Sequence, residues 1–172
     1  MQIRLDDLSH PAIHALLEEH LRNMHALSPR ESVHALDLAR LRDPAITFWS
    51  AWDGDTLLGC AALRQLDPQH GEIKSMRTPD AQRRRGAGKA LLDHIIAEAH
   101  ARGYQRLSLE TGSQPGFLPA QTLYAQAGFV RCGPFGDYRE DPNSVFMTRT
   151  SASTDGFDRQ GAATPPRPPS AH

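Results

Sequence analysis

One short basic segment carries the clearest chemical signal in the chain, Gln82-Arg83-Arg84-Arg85-Gly86-Ala87-Gly88-Lys89-Ala90. The residue pattern predicts a strand before this segment and a long amphipathic helix after it. At such a junction, glycines let backbone N–H groups converge on an anion, and the helix N-terminus adds partial positive charge. With the arginines and Lys89, these groups predict a diphosphate site. A solvated, basic helix start is the alternative interpretation.

Two common nucleotide-binding motifs are excluded by single positions in this segment. A P-loop requires Gly at position 83 and Ser or Thr at position 90, where the chain has Arg83 and Ala90. A dinucleotide fingerprint requires a third Gly at the position of Leu91. ATP and NAD are therefore poor ligand candidates for this turn.

The elements that position this segment are predicted from hydrophobic periodicity and from turn residues. Strand patterns cover residues 2–5, 45–52, 56–66, 72–78, 105–111, 145–148 and a stretch from 129 onward. Helical spacing covers residues 13–24, 28–43, 86–102 and 117–127. The order β-α-α-β-β-β-α-β-α-β-β indicates a mixed α/β sheet. Its strand-helix-strand unit over residues 72–111 predicts a parallel crossover.

Strand alternation assigns several side chains to faces of the sheet. Over residues 72–78, Glu72, Lys74 and Met76 are predicted to share one face, and the odd-numbered side chains the other. Trp49 and Trp52 are three residues apart in a predicted strand and so point to opposite faces. At least one of these tryptophans belongs to the core, and an exposed one would line a pocket.

These motifs resemble the GCN5-related N-acetyltransferase (GNAT) superfamily. The segment Arg83 to Gly88 is similar to the family's Arg/Gln-x-x-Gly-x-Gly/Ala turn, which binds the pyrophosphate of acetyl-CoA. The segment Ala120 to Phe129 is similar to the family's Ala-x-x-Leu-Tyr-x-x-x-Gly-Phe element. The resemblance covers residues 1–149 and implies a GNAT-type α/β fold: a mixed, mostly antiparallel twisted sheet with a central parallel β-α-β crossover and flanking helices. Residues 32–38 and 138–147 look like signatures of a subgroup of small bacterial acetyltransferases.

The resemblance implies direct attack of an amine on the thioester of acetyl-CoA, which requires a base for the amine proton and an acid for the departing thiolate. For the base, Glu72 is the first candidate because it opens the strand that the family runs beside the cofactor, and Glu110 is the second. Either could instead be structural, with Glu72 paired to Lys74. The family motif assigns Tyr124 as the acid, whereas its apolar helix stripe alone would indicate a core tyrosine.

The resemblance also implies the cofactor contacts. Backbone groups of Met76, Arg77 and Thr78 would meet the pantetheine arm. The residues expected around the diphosphate are Arg83, Arg84, Arg85, Gly86, Ala87, Gly88 and Lys89. Among them, Arg85 is the arginine expected to point elsewhere. The junction of the first two helices borders the acceptor pocket in this family, and its candidate substrate contacts, or solvated helix ends, are Asn23, His25 and His34.

Charge and composition exclude several classes of partner. Nineteen Lys and Arg residues against twenty Asp and Glu residues give a net charge of −1, so we expect no nucleic-acid and no membrane partner. Two cysteines cannot form a disulfide framework and the start lacks an apolar signal segment, which predicts a cytoplasmic protein. His10 and His14 are the only histidine pair at four-residue helical spacing, and no Cys or acidic cluster completes a metal site. We therefore expect no metal.

The expected domain covers residues 1–149, and residues 150–172 are predicted to form a disordered, Pro-rich C-terminal tail. The expected activity is acetyl transfer from acetyl-CoA, a cosubstrate, to an amine of a small molecule in a ternary complex. The alternatives are transfer to a peptide or protein amine, and a non-catalytic module that senses acyl-CoA. The oligomeric state stays open, with a homodimer as one option.

Overall fold

A computed structural model describes residues 1–33 and 37–151 of the chain. Its strands are β1 (Gln2–Leu5), β2 (Ile46–Asp53), β3 (Thr56–Asp67), β4 (His70–Arg77), β5 (Arg106–Gly112), β6 (Val130–Cys132) and β7 (Ser144–Thr150). They form one sheet in the order β1-β2-β3-β4-β5-β7-β6. All neighbouring strands are antiparallel except β4 and β5, which are parallel. The β2–β3 hairpin turns at Gly54, whose φ of +57° favours glycine.

Helices cover both faces of the sheet. They are α1 (Pro11–Leu27), α2 (Leu38–Leu41), α3 (Ala87–Ala101) and α4 (Leu118–Gln126), with 3-10 turns at Arg30–Ser32, Asp80–Gln82 and Pro115–Phe117. The connection of β4 to β5 through α3 confirms the predicted parallel crossover, and the mixed, mostly antiparallel architecture is confirmed with it. Within the described ranges, no helix is long and apolar enough to cross a bilayer. Residues 152–172 lie outside these ranges, so the tail and its boundary stay predictions.

The core consists of two apolar layers, one on each face of the sheet. Fully buried Leu91, Leu92 and Ile95 of α3 pack in the first layer, and Ile13 of α1 packs in the second. Burying such side chains is the main stabilising contribution, about 1.5–3 kcal/mol each. Trp49 belongs to the first layer and Trp52 to the second, which confirms their opposite orientation. Both tryptophans are at most 5% exposed, so neither lines an open pocket.

The predicted single helix over residues 28–43 is wrong. The 3-10 turn Arg30–Ser32 ends at Val33, whose backbone is extended (φ −89°, ψ 113°). A new one-turn helix, α2, then begins because the Asp37 carboxylate accepts from the Arg40 N–H at 2.9 Å as an N-cap. Capping residues of this kind compete with helix continuation, and apolar spacing alone does not reveal that competition. The middle of the predicted helix, including His34, lies outside the described residues.

A β-bulge in β4 corrects the predicted distribution of its side chains. Ala62 of β3 pairs with Lys74, and Cys60 pairs with Arg77. A step of two residues along β3 therefore faces a step of three residues along β4, which means that β4 carries one extra residue. Ser75 carries the irregularity, with φ of +51°. As a result, Met76 packs against the first core layer, whereas the partners of Lys74 and Arg77 belong to the second. Strict alternation predicted that Met76 and Lys74 share a face, and this prediction is wrong because the bulge places them on opposite faces.

At this bulge, β4 and β5 no longer pair. Their parallel pairing runs from His70 and Arg106 to Ile73 and Leu109 and ends there. Strand β5 continues to pair with β7 as far as Gly112, on its other side. An opening therefore lies between residues 74–77 of β4 and residues 110–112 of β5. We call this region the β4–β5 opening.

The rim of the opening is closely packed at Gly112, which yields a stability prediction. A Cβ atom at this position would lie 2.1 Å from the ring of Phe117. Gly112→Ala should therefore lower the free energy of unfolding by about 1–3 kcal/mol, the usual cost of overpacking. Gly133→Ala is the matched control because a Cβ there meets no atom within 4 Å. Urea unfolding followed by circular dichroism measures both, and equal effects would contradict the packing described.

Candidate active site

The backbone of the basic turn is arranged as an anion site. Gly86 precedes α3 in the left-handed region, with φ of +82°, and Arg84 is left-handed as well, with φ of +67°. No described residue accepts a hydrogen bond from the backbone N–H groups of residues 83–89. By contrast, α1 is capped by His10, whose ring nitrogen accepts from Ala12 N–H at 3.0 Å. The start of α3 thus presents unpaired donors to an external acceptor.

The basic side chains of this turn differ in their surroundings. Arg83 pairs with Asp80 and Lys89 with Asp93, each at 2.6 Å, on the exposed surface. Arg85 pairs with Asp53 at the β2–β3 turn, also at 2.6 Å. Exposed ion pairs of this kind contribute little to stability and can exchange partners. Within the described part of the chain, the exposed side chain of Arg84 has no ion-pair partner.

The end of β4 reaches this turn. A Cβ atom added at Gly88 would lie 4.0 Å from Thr78 Oγ1 and 3.5 Å from Leu123 of α4. The first turn of α3 therefore sits directly beside the β4–β5 opening. The structure thus brings together the two groups of predicted cofactor residues, 76–78 and 83–89, although the sequence separates them by a 3-10 turn.

Tyr124 lies in the β4–β5 opening. Its hydroxyl donates to the sulfur of Met76 at 3.6 Å, and its ring meets Phe129 edge-on at 5.9 Å between centroids. Burial raises the pKa of the Tyr124 phenol well above its ordinary value, and the negative charge of Glu110 raises it further. The phenol is therefore protonated at neutral pH and is a proton donor.

Glu110 lies on the opposite side of this opening, on β5 just past the last residue paired with β4. Burial raises the pKa of Glu110 to about 7, with the charges of Glu72 and Asp141 adding to the rise. The Ser144 hydroxyl and the charge of Lys74 act in the opposite direction. A carboxyl group with this pKa exchanges a proton readily near neutral pH, which is the property required of a general base.

Glu72 is held in a buried polar triad with Lys74 and Tyr138. Its Oε1 accepts from Lys74 Nζ at 3.0 Å and from Tyr138 Oη at 2.5 Å, and Lys74 also donates to Tyr138 at 2.9 Å. Glu72 is 2% exposed and Lys74 is 9% exposed. Breaking such a pair leaves a buried charge without compensation and costs several kcal/mol. This geometry favours Glu110 over Glu72 as the base, the reverse of the order drawn from the sequence.

The triad forms part of the floor of a cavity of about 650 Å³. Two distant segments meet at this cavity, since Ser32, between the lining residues Glu31 and Val33, donates from its Oγ to Asp141 Oδ2 at 2.6 Å across 109 positions of sequence. The described residues around it are Glu31, Val33, Arg40, Arg64, Gln65, Leu66, Glu72, Lys74, Gly136, Asp137, Tyr138, Arg139, Glu140 and Asp141. Glu110 is not among these lining residues, but the charges of three of them, Lys74, Glu72 and Asp141, act on its pKa.

Sequence reasoning missed Lys74, Tyr138 and Arg64 as cavity residues. Val33 and residues 138–141 of this lining fall in two segments, 32–38 and 138–147, that resemble subgroup signatures but to which the sequence attached no role. By contrast, Asn23 and His25 are absent from the described lining. His10 and His14 are engaged locally, since His14 Nε2 donates to the Leu8 carbonyl at 2.6 Å. Over residues 1–33 and 37–151, no three candidate ligands form a metal-binding group.

Comparisons with known proteins agree with this arrangement. The model of the Acetyltransferase (GNAT) family matches residues 13–129. The chain is 58% identical over 149 residues to the uncharacterized N-acetyltransferase YsnE of Bacillus subtilis (strain 168), covering 87% of this chain and 99% of that protein. It is 40% identical over 139 residues to the IAA acetyltransferase of Azospirillum brasilense, covering 80% and 90% respectively.

A solved structure supports the fold independently. The acetyltransferase of Bacillus subtilis in complex with CoA superimposes with a TM-score of 0.64 at 20% identity, covering 87% of this chain and 97% of that one. This chain belongs to the GNAT family of acetyltransferases and is an acyltransferase. The family resemblance found in the sequence is therefore confirmed.

The pKa of Glu110 leads to a prediction about stability. Because the carboxyl has a pKa of about 7 when folded and 4.5 as its ordinary value, the folded state binds this proton more tightly, and stability falls as pH rises from about 5 to 8. Glu110→Gln removes the titration, so the variant should gain about 2 kcal/mol relative to wild type between pH 5 and pH 8. Urea unfolding at both pH values measures this difference. Glu18→Gln, at an exposed glutamate, is the control for the charge change, and an equal response in both variants would contradict the assignment.

Proposed function

We propose that this acyltransferase moves an acetyl group from acetyl-CoA to the amine of a small molecule, by direct attack in a ternary complex. The observation that carries the proposal is the pair of side chains across the β4–β5 opening. One is a carboxyl whose pKa is near 7 and the other a protonated phenol. The cavity lined by Glu72, on the strand next to that of Glu110, is large enough for a small acceptor, and the start of α3 supplies unpaired N–H donors.

The basic turn would hold acetyl-CoA by its diphosphate. The N–H groups of residues 83–89, together with the positive N-terminus of α3, match an anion, and Arg83, Arg84 and Lys89 add charge. The separated edge of β4 at Met76, Arg77 and Thr78 would bind the pantetheine arm through its backbone. The CoA complex of the Bacillus subtilis neighbour supports acetyl-CoA as the cosubstrate for this fold.

The proposed chemistry divides two proton transfers between two residues. Glu110 takes the amine proton as the nitrogen forms its bond to the acetyl carbon. Tyr124 gives its proton to the sulfur as the carbon–sulfur bond breaks, which yields the N-acetyl product and free CoA. The transfer from a phenol to a thiolate runs uphill by about 1.5 pKa units, or about 2 kcal/mol, with ordinary pKa values. Acetylation of the amine nitrogen requires no covalent acyl-enzyme, so neither cysteine needs a role.

Release of free CoA from acetyl-CoA in the presence of a panel of small amines tests this proposal. Tyr124→Phe should lower kcat by about 10- to 100-fold, because the thiolate loses its proton donor, while the affinity for acetyl-CoA stays within about threefold. Tyr104→Phe is the matched control for loss of a buried phenol hydroxyl, since Tyr104 lies outside the opening and does not line the cavity, although its partner Gln65 lines the cavity. Unchanged turnover in Tyr124→Phe would remove the proposed acid. Absence of CoA release with every amine would overturn the enzymatic proposal.

Calorimetry tests the proposed cofactor site separately. Arg84→Gln should weaken acetyl-CoA binding about three- to tenfold, since a charge-assisted contact to the diphosphate is lost at an exposed position. Binding to the wild type should also weaken as salt is raised from 50 to 500 mM, roughly as screening predicts. Arg131→Gln, an exposed arginine of β6 outside both sites, is the control. Equal affinity in the two variants would contradict the role given to the turn.

A further inference from the structure

The floor of the cavity carries an uncompensated positive charge. Lys74 and Glu72 neutralise each other in the buried triad with Tyr138. The remaining charged group of the floor is Arg64, which is half-buried and lies directly opposite Glu72 on the neighbouring strand. Among the described residues, its guanidinium has no hydrogen-bond or ion-pair partner. The Glu72 carboxylate bonds to Lys74 and Tyr138 through its Oε1, and no hydrogen bond joins it to Arg64.

The mouth of the cavity has a different charge. Exposed side chains of both signs surround it, and the acidic ones outnumber the basic ones: Glu31, Asp137 and Glu140 against Arg40 and Arg139, with the half-buried Asp141 adding a fourth carboxylate. Exposed charges are screened by salt and attract weakly, whereas a half-buried guanidinium binds a carboxylate through two parallel hydrogen bonds. An acidic entrance above a cationic floor is complementary to a ligand with both a positive amine and a negative carboxylate.

The sheet sets the spacing between Arg64 and the proposed base. Arg64 pairs with Glu72, and Glu72 pairs with Ser108, which is two residues before Glu110 on β5. Two strand spacings and a two-residue rise correspond to about 12 Å between the Cα atoms of Arg64 and Glu110. Arg64 lines the cavity, and a small molecule bound there would lie between the Arg64 guanidinium and Glu110. Its amine would then lie at Glu110 while its carboxylate lies at Arg64.

We propose that Arg64 determines acceptor specificity and that the acceptor is an amine that also carries a carboxylate, with free amino acids as the simplest class. This inference rests on the proposed function and adds the substrate class. It assigns Arg64 to binding and not to proton transfer. Changes at Arg64 should therefore act mainly on the KM of the acceptor.

The test compares free amino acids with their carboxamides, which keep the amine and remove the negative charge. Free CoA is measured with acetyl-CoA and each of the common L-amino acids, and then with the carboxamide of each accepted one. In the wild type, kcat/KM for the acid should exceed that for its carboxamide by about tenfold or more, the usual effect of a charged hydrogen bond. Equal use of acid and carboxamide would overturn the inference.

Arg64→Gln should bring this acid-to-carboxamide ratio close to one, through a higher KM for the acid. Arg64→Lys should give an intermediate ratio, because lysine keeps the charge but lacks the planar fork. Arg131→Gln is the matched control on β6 and should keep the wild-type ratio. Calorimetric binding of acetyl-CoA shows whether each variant is folded. If Arg64→Gln does not fold, Arg64→Lys is used for the test. A wild-type ratio in a folded Arg64 variant would overturn the inference.

The outcomes also separate this inference from the proposed function. CoA release with amines that lack a carboxylate, at rates equal to those with amino acids, would overturn the role of Arg64 and leave the transferase proposal intact. Absence of CoA release with amino acids, carboxamides and simple amines alike would overturn both proposals.

Discussion

The separation of β4 from β5 beyond Ile73 is the constraint on which the site depends. A bulge at Ser75, with φ of +51°, inserts one extra residue into β4 relative to β3. Left-handed backbone at a non-glycine residue costs about 1 kcal/mol or more, and the surrounding β3–β4 pairing maintains it. Because of this bulge, Lys74 faces the cavity and Met76 faces Tyr124, on opposite faces of the sheet. A regular strand would have placed both side chains on the same face.

Burial and pairing give the two carboxyl groups different properties. Glu72 is more deeply buried, and its Oε1 accepts from a lysine and a tyrosine, which hold it between the strands and the loop. Glu110 lies past the last β4–β5 pair, and burial raises its pKa to about 7. The same opening contains the Tyr124 phenol, whose pKa the charge of Glu110 raises. Electrostatic coupling across the opening thus links the two groups that exchange protons in the proposed reaction.

The sequence predicted those parts of the molecule whose structure is decided locally. The order of strands and helices, the parallel crossover and the turn before α3 follow from periodicity, glycine positions and charge within short windows. The helix predicted over residues 28–43 failed because a capping aspartate, Asp37, restarts the chain within an apolar pattern. The face assigned to Met76 failed because alternation assumes a regular strand. A bulge leaves no mark in the period of apolar residues.

The amino-acid sequence by itself determined the family, the architecture and the position of the basic turn before α3, because each depends on residues close together in the chain. The tertiary structure decided which of the two carboxyl groups is held by side-chain partners and which residues surround the cavity. Tyr138 reaches Glu72 across 66 positions, and Ser32 reaches Asp141 across 109. Such contacts depend on the packing of the whole sheet and its loops. Local sequence patterns do not specify which distant residue pairs with a buried charge.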